Sequence, residues 1–232
     1  VTASGTGAIT DAPTNNSNVS GTVTYTITPS FGGCSGAPVN YVVTVRPVPD
    51  AAASDAAICS GTSSAIAITN PNAVSGTTFN WTVLSASNVT GASAGSGNLI
   101  NQILTSTDGI NTGTVTYRII PSANGCAGVA EDVTVTVNPA PVITSTATQL
   151  QADICSGVAL NFTPTTSIAG ATFSWTAVAS AQISGGVTAS GTGAITDAPT
   201  NNSNVSGTVT YTITPSFGGC SGAPVNYVVT VR

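Results

Sequence analysis

Histidine, lysine and methionine are missing from all 232 residues, and the only cations are Arg46, Arg118 and Arg232. Each absence removes a class of chemistry. Without histidine there is no Ser-His-Asp or Cys-His relay and no histidine-bearing zinc site. Without lysine there is no Schiff base, no Ser-Lys dyad and no Lys-Asn isopeptide cross-link. Three cations against eight acids leave a net charge of −5. That is the wrong sign for nucleic acid, whose phosphates need Lys and Arg, and for anionic membrane surfaces. No run of 18 apolar residues occurs, so direct membrane insertion is not expected, and any export signal or anchor is expected outside this segment.

Charged residues make up only 5% of the chain, against a usual quarter, so polarity must come from elsewhere. It comes from Ser, Thr, Asn and Gly. Together with abundant Val and Ile these favour strands and turns over helices. The expected surface is a neutral, hydroxyl-rich sheet.

The sequence repeats. Residues Val1 to Arg46 recur unchanged at Val187 to Arg232. A diverged middle copy shares Gly-Thr-Val-Thr-Tyr at residues 21–25, 113–117 and 207–211. Cys34 lies 92 residues before Cys126, and Cys126 lies 94 before Cys220, so the unit is about 93 residues. The upstream half appears twice. Ile58-Cys59-Ser60-Gly61 matches Ile154-Cys155-Ser156-Gly157, and Phe79-Asn80-Trp81-Thr82 matches Phe173-Ser174-Trp175-Thr176. The expected organisation is the C-terminal half of a unit at 1–46, a Pro-rich linker at 47–50, a complete unit at 51–138, a linker at 139–141 and a complete unit at 142–232. The chain is expected to continue upstream. Alternating X-Pro linkers bias the backbone to extended geometry and limit bending.

Within the middle unit, strands are expected at 65–68, 78–83, 99–104, 114–120 and 133–137, with edge strands near 53–58 and 88–90. Thr114-Val115-Thr116-Tyr117-Arg118-Ile119 alternates apolar and polar side chains, the period of a half-buried strand. About seven short strands in some 90 residues point to an all-β, immunoglobulin-like antiparallel sandwich. Its core is assigned to Phe79, Trp81 and Tyr117, and to Phe173, Trp175 and Tyr211 in the last unit.

Five cysteines, two per complete unit, imply an oxidising compartment. The repeat suggests pairing within units, Cys59–Cys126 and Cys155–Cys220. The partner of Cys34 is then expected upstream of residue 1. Two thiols alone do not make a metal site, and the spacing is far from a redox-active C-x-x-C.

Five small motifs occur in order: Ile-Cys-Ser-Gly, Thr-Phe-x-Trp-Thr, Gly-Thr-Val-Thr-Tyr-x-Ile, Gly-Cys-x-Gly, and Val-Thr-Val with Pro-x-Pro. In this order and spacing they resemble the PKD-like domains of Bacteroidota surface proteins, which occur in long tandem arrays. The resemblance implies an extracellular, outer-membrane-attached adhesin filament of the kind used in gliding motility and exported by type IX secretion. The same domains occur in secreted polysaccharide-degrading enzymes, where this segment would be a glycan-binding or spacer module. Implied partners are neighbouring identical repeats, surface polysaccharide, and outer-membrane motility or secretion components. No cofactor, metal or catalytic residue is assigned. Glu131 and Asp132, with Asp108, are too few oxygens for calcium, and the identical outer copies lack the pair. The eight acids form no repeated pair of the kind glycoside hydrolysis needs. The Ser/Gly loop at 91–97 and the Thr-rich faces are weak candidates for polysaccharide contact. Asn15, Asn18, Asn88 and Asn161 match the N-glycan acceptor pattern.

Overall fold

A computed structural model describes residues 4–232 and contains strands and turns but no helix among them. The N-terminal segment pairs β1 (Gly21–Ile27) with β2 (Val39–Val45) in an antiparallel ladder. The middle unit is built on β3 (Ala56–Cys59), β4 (Thr78–Ser87), β5 (Gly113–Ala123) and β6 (Glu131–Asn138). The last unit repeats this with β7 (Gln151–Ile154), β8 (Thr172–Ala179), β9 (Gly207–Phe217) and β10 (Val225–Val231).

In the middle unit the main sheet runs from the edge pair Gly95–Ser96 through β4, β5 and β6 to β3. All pairings are antiparallel except β3 on β6, which is parallel. The facing layer is made of short strands: Ile66–Ala67 against Leu99–Ile100, and Ile103–Ser106 between Thr62–Ser63 and Val89–Thr90. The last unit has the same main sheet, with Ser190–Thr192 at one edge, then β8, β9, β10 and a parallel β7. Its facing layer includes Ile183–Gly185 paired with Thr200–Asn201.

Alternation decides which side of each strand is inside. Along β5, Val115, Tyr117 and Ile119 are fully buried while the residues between them are partly or fully exposed. Ile100 and Leu104 of the facing layer close over them in one apolar cluster that also holds Val133, Val135 and Val137. The last unit has a separate cluster around Leu160, Trp175, Ile195, Val209, Tyr211, Ile213 and Tyr227. Each complete unit therefore has its own core.

The strands at 99–104 and 114–120 differ in detail from the sequence expectation. The first is split at Asn101-Gln102, because the Gln102 amide turns out to accept from Tyr117 Oη at 2.7 Å and to bond Ser93. The second runs on to Ala123, where Cys126–Ala127 folds back to pair with it.

Candidate functional site at the junctions between units

Trp81, Phe79 and Tyr117 sit together in the middle core, and Trp175 and Tyr211 in the last core, while Phe173 is only half-buried. Trp175 meets Tyr211 edge-on with ring centroids 5.5 Å apart. Backbone glycines lie across both indoles. A Cβ at Gly95 would fall 2.6 Å from the Trp81 ring, and one at Gly191 2.4 Å from Trp175. The Ser/Gly loop considered for polysaccharide contact thus contributes an edge strand that lids the tryptophan. Burial raises the hydroxyl pKa of Tyr117 and of Tyr211, and Tyr211 also donates to Asp197 at 2.9 Å.

The cysteines depart from the intra-unit pairing. Cys59 of the middle unit is bonded to Cys220 of the last, with Cα atoms 5.5 Å apart and a sequence separation of 161. Cys126 and Cys155 carry free thiols, as does Cys34. The register of β3 on β6 explains why. Ile58 is level with Val137, which is level with Gly113 at the start of β5, whereas Cys126 is level with Ala123 at its end. Ten residues of strand, roughly 33 Å, separate the two positions. A disulfide spans about 4.4–6.8 Å between Cα atoms. Cys155 and Cys220 are kept apart in the same way, at opposite ends of β9.

One end of each unit therefore carries the first cysteine, and the other end a hairpin turn carrying the second. At the junction of the middle and last units, the end of β6 meets the turn before Cys220. Asn138 Nδ2 donates to the carbonyl of Gly218 at 3.0 Å, and Pro139 and Pro141 are buried between the units. The close packing needs a glycine: a Cβ at Gly222 would lie 1.7 Å from the Pro141 oxygen. Pro47 and Pro49 are buried at the preceding junction too. There Arg46 Nη1 donates to the carbonyl of Asn124, the residue equivalent to Gly218, and a Cβ at Gly128 would lie 2.0 Å from the Pro49 oxygen. The linkers are packed joints rather than solvated spacers.

The profile of the PKD-like domain matches residues 1–49, 56–141 and 152–232. The chain belongs to the PKD-like domain family. No curated protein matches it. Among solved structures, a three-domain I-band fragment of titin aligns with a TM-score of 0.39 at 12% identity, covering 79% of this chain and 64% of that one. Three extracellular cadherin domains of mouse cadherin-23 align at 0.34 and 13% identity, covering 80% and 66%. Domains 3–6 of protocadherin gammaB7 align at 0.30 and 13% identity, covering 92% and 58%.

Three of the aspartates of the PKD-like units, Asp108, Asp132 and Asp153, are engaged in structural contacts. Asp132 forms a bidentate pair with Arg118 directly across the strands, at 2.8 and 2.7 Å. In the outer copies the same cross-strand positions hold Thr26 with Asn40 and Thr212 with Asn226. Asp108 accepts from the Asn111 side chain and from the backbone N–H groups of Ile110 and Asn111, which hold its carboxyl far below the usual range. Asp153 forms a bidentate pair with Arg232 at 2.7 and 2.5 Å. Among the described residues no three Cys, Asp or Glu side chains converge as a metal site would need. Asn15 and Asn88, two of the acceptor-pattern asparagines, use their amides to donate to the backbone carbonyls of Val19, Val45 and Asn111.

Proposed function

We propose that this chain is a stretch of the stalk of an exported cell-surface adhesin filament. Its units hold an adhesive surface away from the cell, and they serve gliding motility when the filament is moved along the cell body. The observation that carries the reading is the junction. Buried prolines, a glycine that admits the linker backbone and a side chain donating across the joint recur at both junctions, and a disulfide joins the middle and last units. An array that must project a surface needs joints of this kind. A module that only delivers a catalytic domain to polysaccharide works through a flexible linker. The disulfide supports an oxidising, extracellular location. The neutral, Thr-rich sheet faces give each unit at most a weak hold on polysaccharide, which many units would sum by avidity. Immunoglobulin-like units of this family act generally as non-catalytic structural modules, in line with the engaged acids described above.

The test is live imaging of source cells with a fluorescent antibody against residues 51–138. A signal on the cell surface that travels along the cell body is expected. A stationary surface signal removes gliding and keeps a static stalk. A signal confined to the medium overturns the stalk and supports the enzyme-borne module.

A further inference from the structure

The three free cysteines and the one disulfide follow a single rule. We propose that in an array of these units the first cysteine of each unit is bonded to the second cysteine of the unit that follows it, so that consecutive units are joined by disulfides as well as by peptide. Cys59–Cys220 is the one such bond whose two halves both lie in this chain. The partners of Cys34 and Cys126 are then the first cysteines of the preceding units, and the partner of Cys155 is the second cysteine of a following one.

The geometry on both sides of each joint supports this. Cys59 is level with Asn138, the last residue of β6, and Ser60 N donates to the Asn138 carbonyl at 2.8 Å. Cys155 stands in the same place beside Arg232: Ile154 is level with Val231, and Ser156 N donates to the Arg232 carbonyl at 3.0 Å. Cys155 is exposed there, at the end of the unit where Cys59 receives Cys220. On the other side, the turn carrying Cys126 is already seated at the end of the first unit, held by Arg46 through the Asn124 carbonyl. This is the contact that Asn138 makes to Gly218 beside the formed bond. The hairpins themselves are closed alike, with Gly36, Gly128 and Gly222 N each donating to a proline carbonyl at 2.8 Å. Cys126 thus faces the place where a first cysteine would stand next to Arg46.

Each bond forms when two thiols lose two protons and two electrons to an oxidant of the disulfide class, whose disulfide is reduced to two thiols. Thiol–disulfide oxidants of the exporting compartment supply this, and oxidised glutathione supplies it in the test.

The test has two arms. The full chain, refolded in a glutathione redox buffer, is mapped under non-reducing conditions by mass spectrometry. A Cys59–Cys220 peptide pair and three alkylatable thiols are expected; Cys59–Cys126 or Cys155–Cys220 overturns the rule. In the second arm a copy of residues 142–186 is fused ahead of residue 1, which completes the first unit because residues 1–46 repeat 187–232. The native Cys155 is replaced, Cys155→Ser, so the only remaining peptide of that sequence comes from the added half. That peptide is expected to be linked to Cys126, with loss of the Cys126 thiol. Linkage to the peptide shared by Cys34 and Cys220, or a Cys126 that stays free, overturns the proposal. The Cys59–Cys220 pair in the same digest reports that the fused chain has folded.

Discussion

One 46-residue sequence occurs twice in this chain, and its two copies differ in what covers them. β1 pairs with β2 in the same register as β9 with β10, so that Tyr25 stands opposite Tyr41 as Tyr211 stands opposite Tyr227. The loop ahead of the hairpin is also the same. Asn15 Nδ2 donates to the Val19 and Val45 carbonyls at 2.8 Å, and Asn201 Nδ2 to Val205 and Val231 at 2.8 and 2.9 Å. Burial is where they part. Ile213 is fully buried and Ile27 is 47% exposed; Tyr227 is 4% exposed and Tyr41 55%. Local sequence is enough to set the hairpin and its loop, because turns, cross-strand pairs and side-chain-to-backbone bonds are satisfied within some 30 residues. The apolar face is indifferent to that ladder and becomes a core only against β8, β7 and the facing layer of a complete unit.

The largest effect that could break this comparison is excision. A peptide of residues 1–46 is expected to show no cooperative urea transition by circular dichroism, whereas residues 142–232 unfold cooperatively. A cooperative transition in the short peptide would mean that the hairpin carries its own stability. Next is the disulfide. Cys220→Ser is expected to lower the stability of the oxidised chain by up to about 5 kcal/mol, the chain-entropy value for so long a loop. Cys34→Ser at the equivalent position leaves the urea midpoint in place. Truncation in the core follows. Tyr211→Ala should cost about 3–5 kcal/mol in the transition followed by tryptophan fluorescence, and Tyr25→Ala should leave that transition unmoved. Equal effects of the two substitutions would sink the distinction drawn here between ladder and core.

The smallest effect is with pH. Burial raises the pKa of Tyr211 above its unfolded value, and the Asp197 carboxylate beside its hydroxyl adds to the rise. A group with a raised folded pKa contributes stability that is complete below its unfolded pKa, about 10, and lost as pH rises beyond it. The last unit should therefore weaken above about pH 10, with a slope of at most ~1.4 kcal/mol per pH unit from this group. Tyr211→Phe should flatten that slope; an unchanged slope would place its origin elsewhere.

The strands were legible because alternation such as Val115, Tyr117, Ile119 reads directly as one buried face. The repeat marked which positions correspond, and so which residues line each core. It pointed to pairing within units, and the structure overturns that for a physical reason. Repetition says that Cys59 and Cys155 are equivalent, but not which unit supplies the partner. That turns on where β3 joins β6: its register sets Cys59 beside Asn138, at the end of the sheet away from Cys126. A β3 placed at the other end of β6 would have brought Cys59 nearer to Cys126. The place at which an edge strand joins a sheet is a tertiary outcome that a four-residue segment does not encode. The glycines at 95 and 128 read as loop residues because their need is also tertiary. One admits an indole and the other the carbonyl of a linker proline.

The Cys59–Cys220 bond has a consequence for extension. Tension applied to the two ends of the oxidised chain passes from Cys59 to Cys220 through sulfur and bypasses the backbone between them. The bypassed segment would reach roughly 550 Å if drawn out straight. It stays slack under load, so the strands of both complete units inside the loop are spared from being peeled apart. Reduction would turn a stiff, short tether into an extensible one, and a pulling trace would record the change as a gain in length of that order.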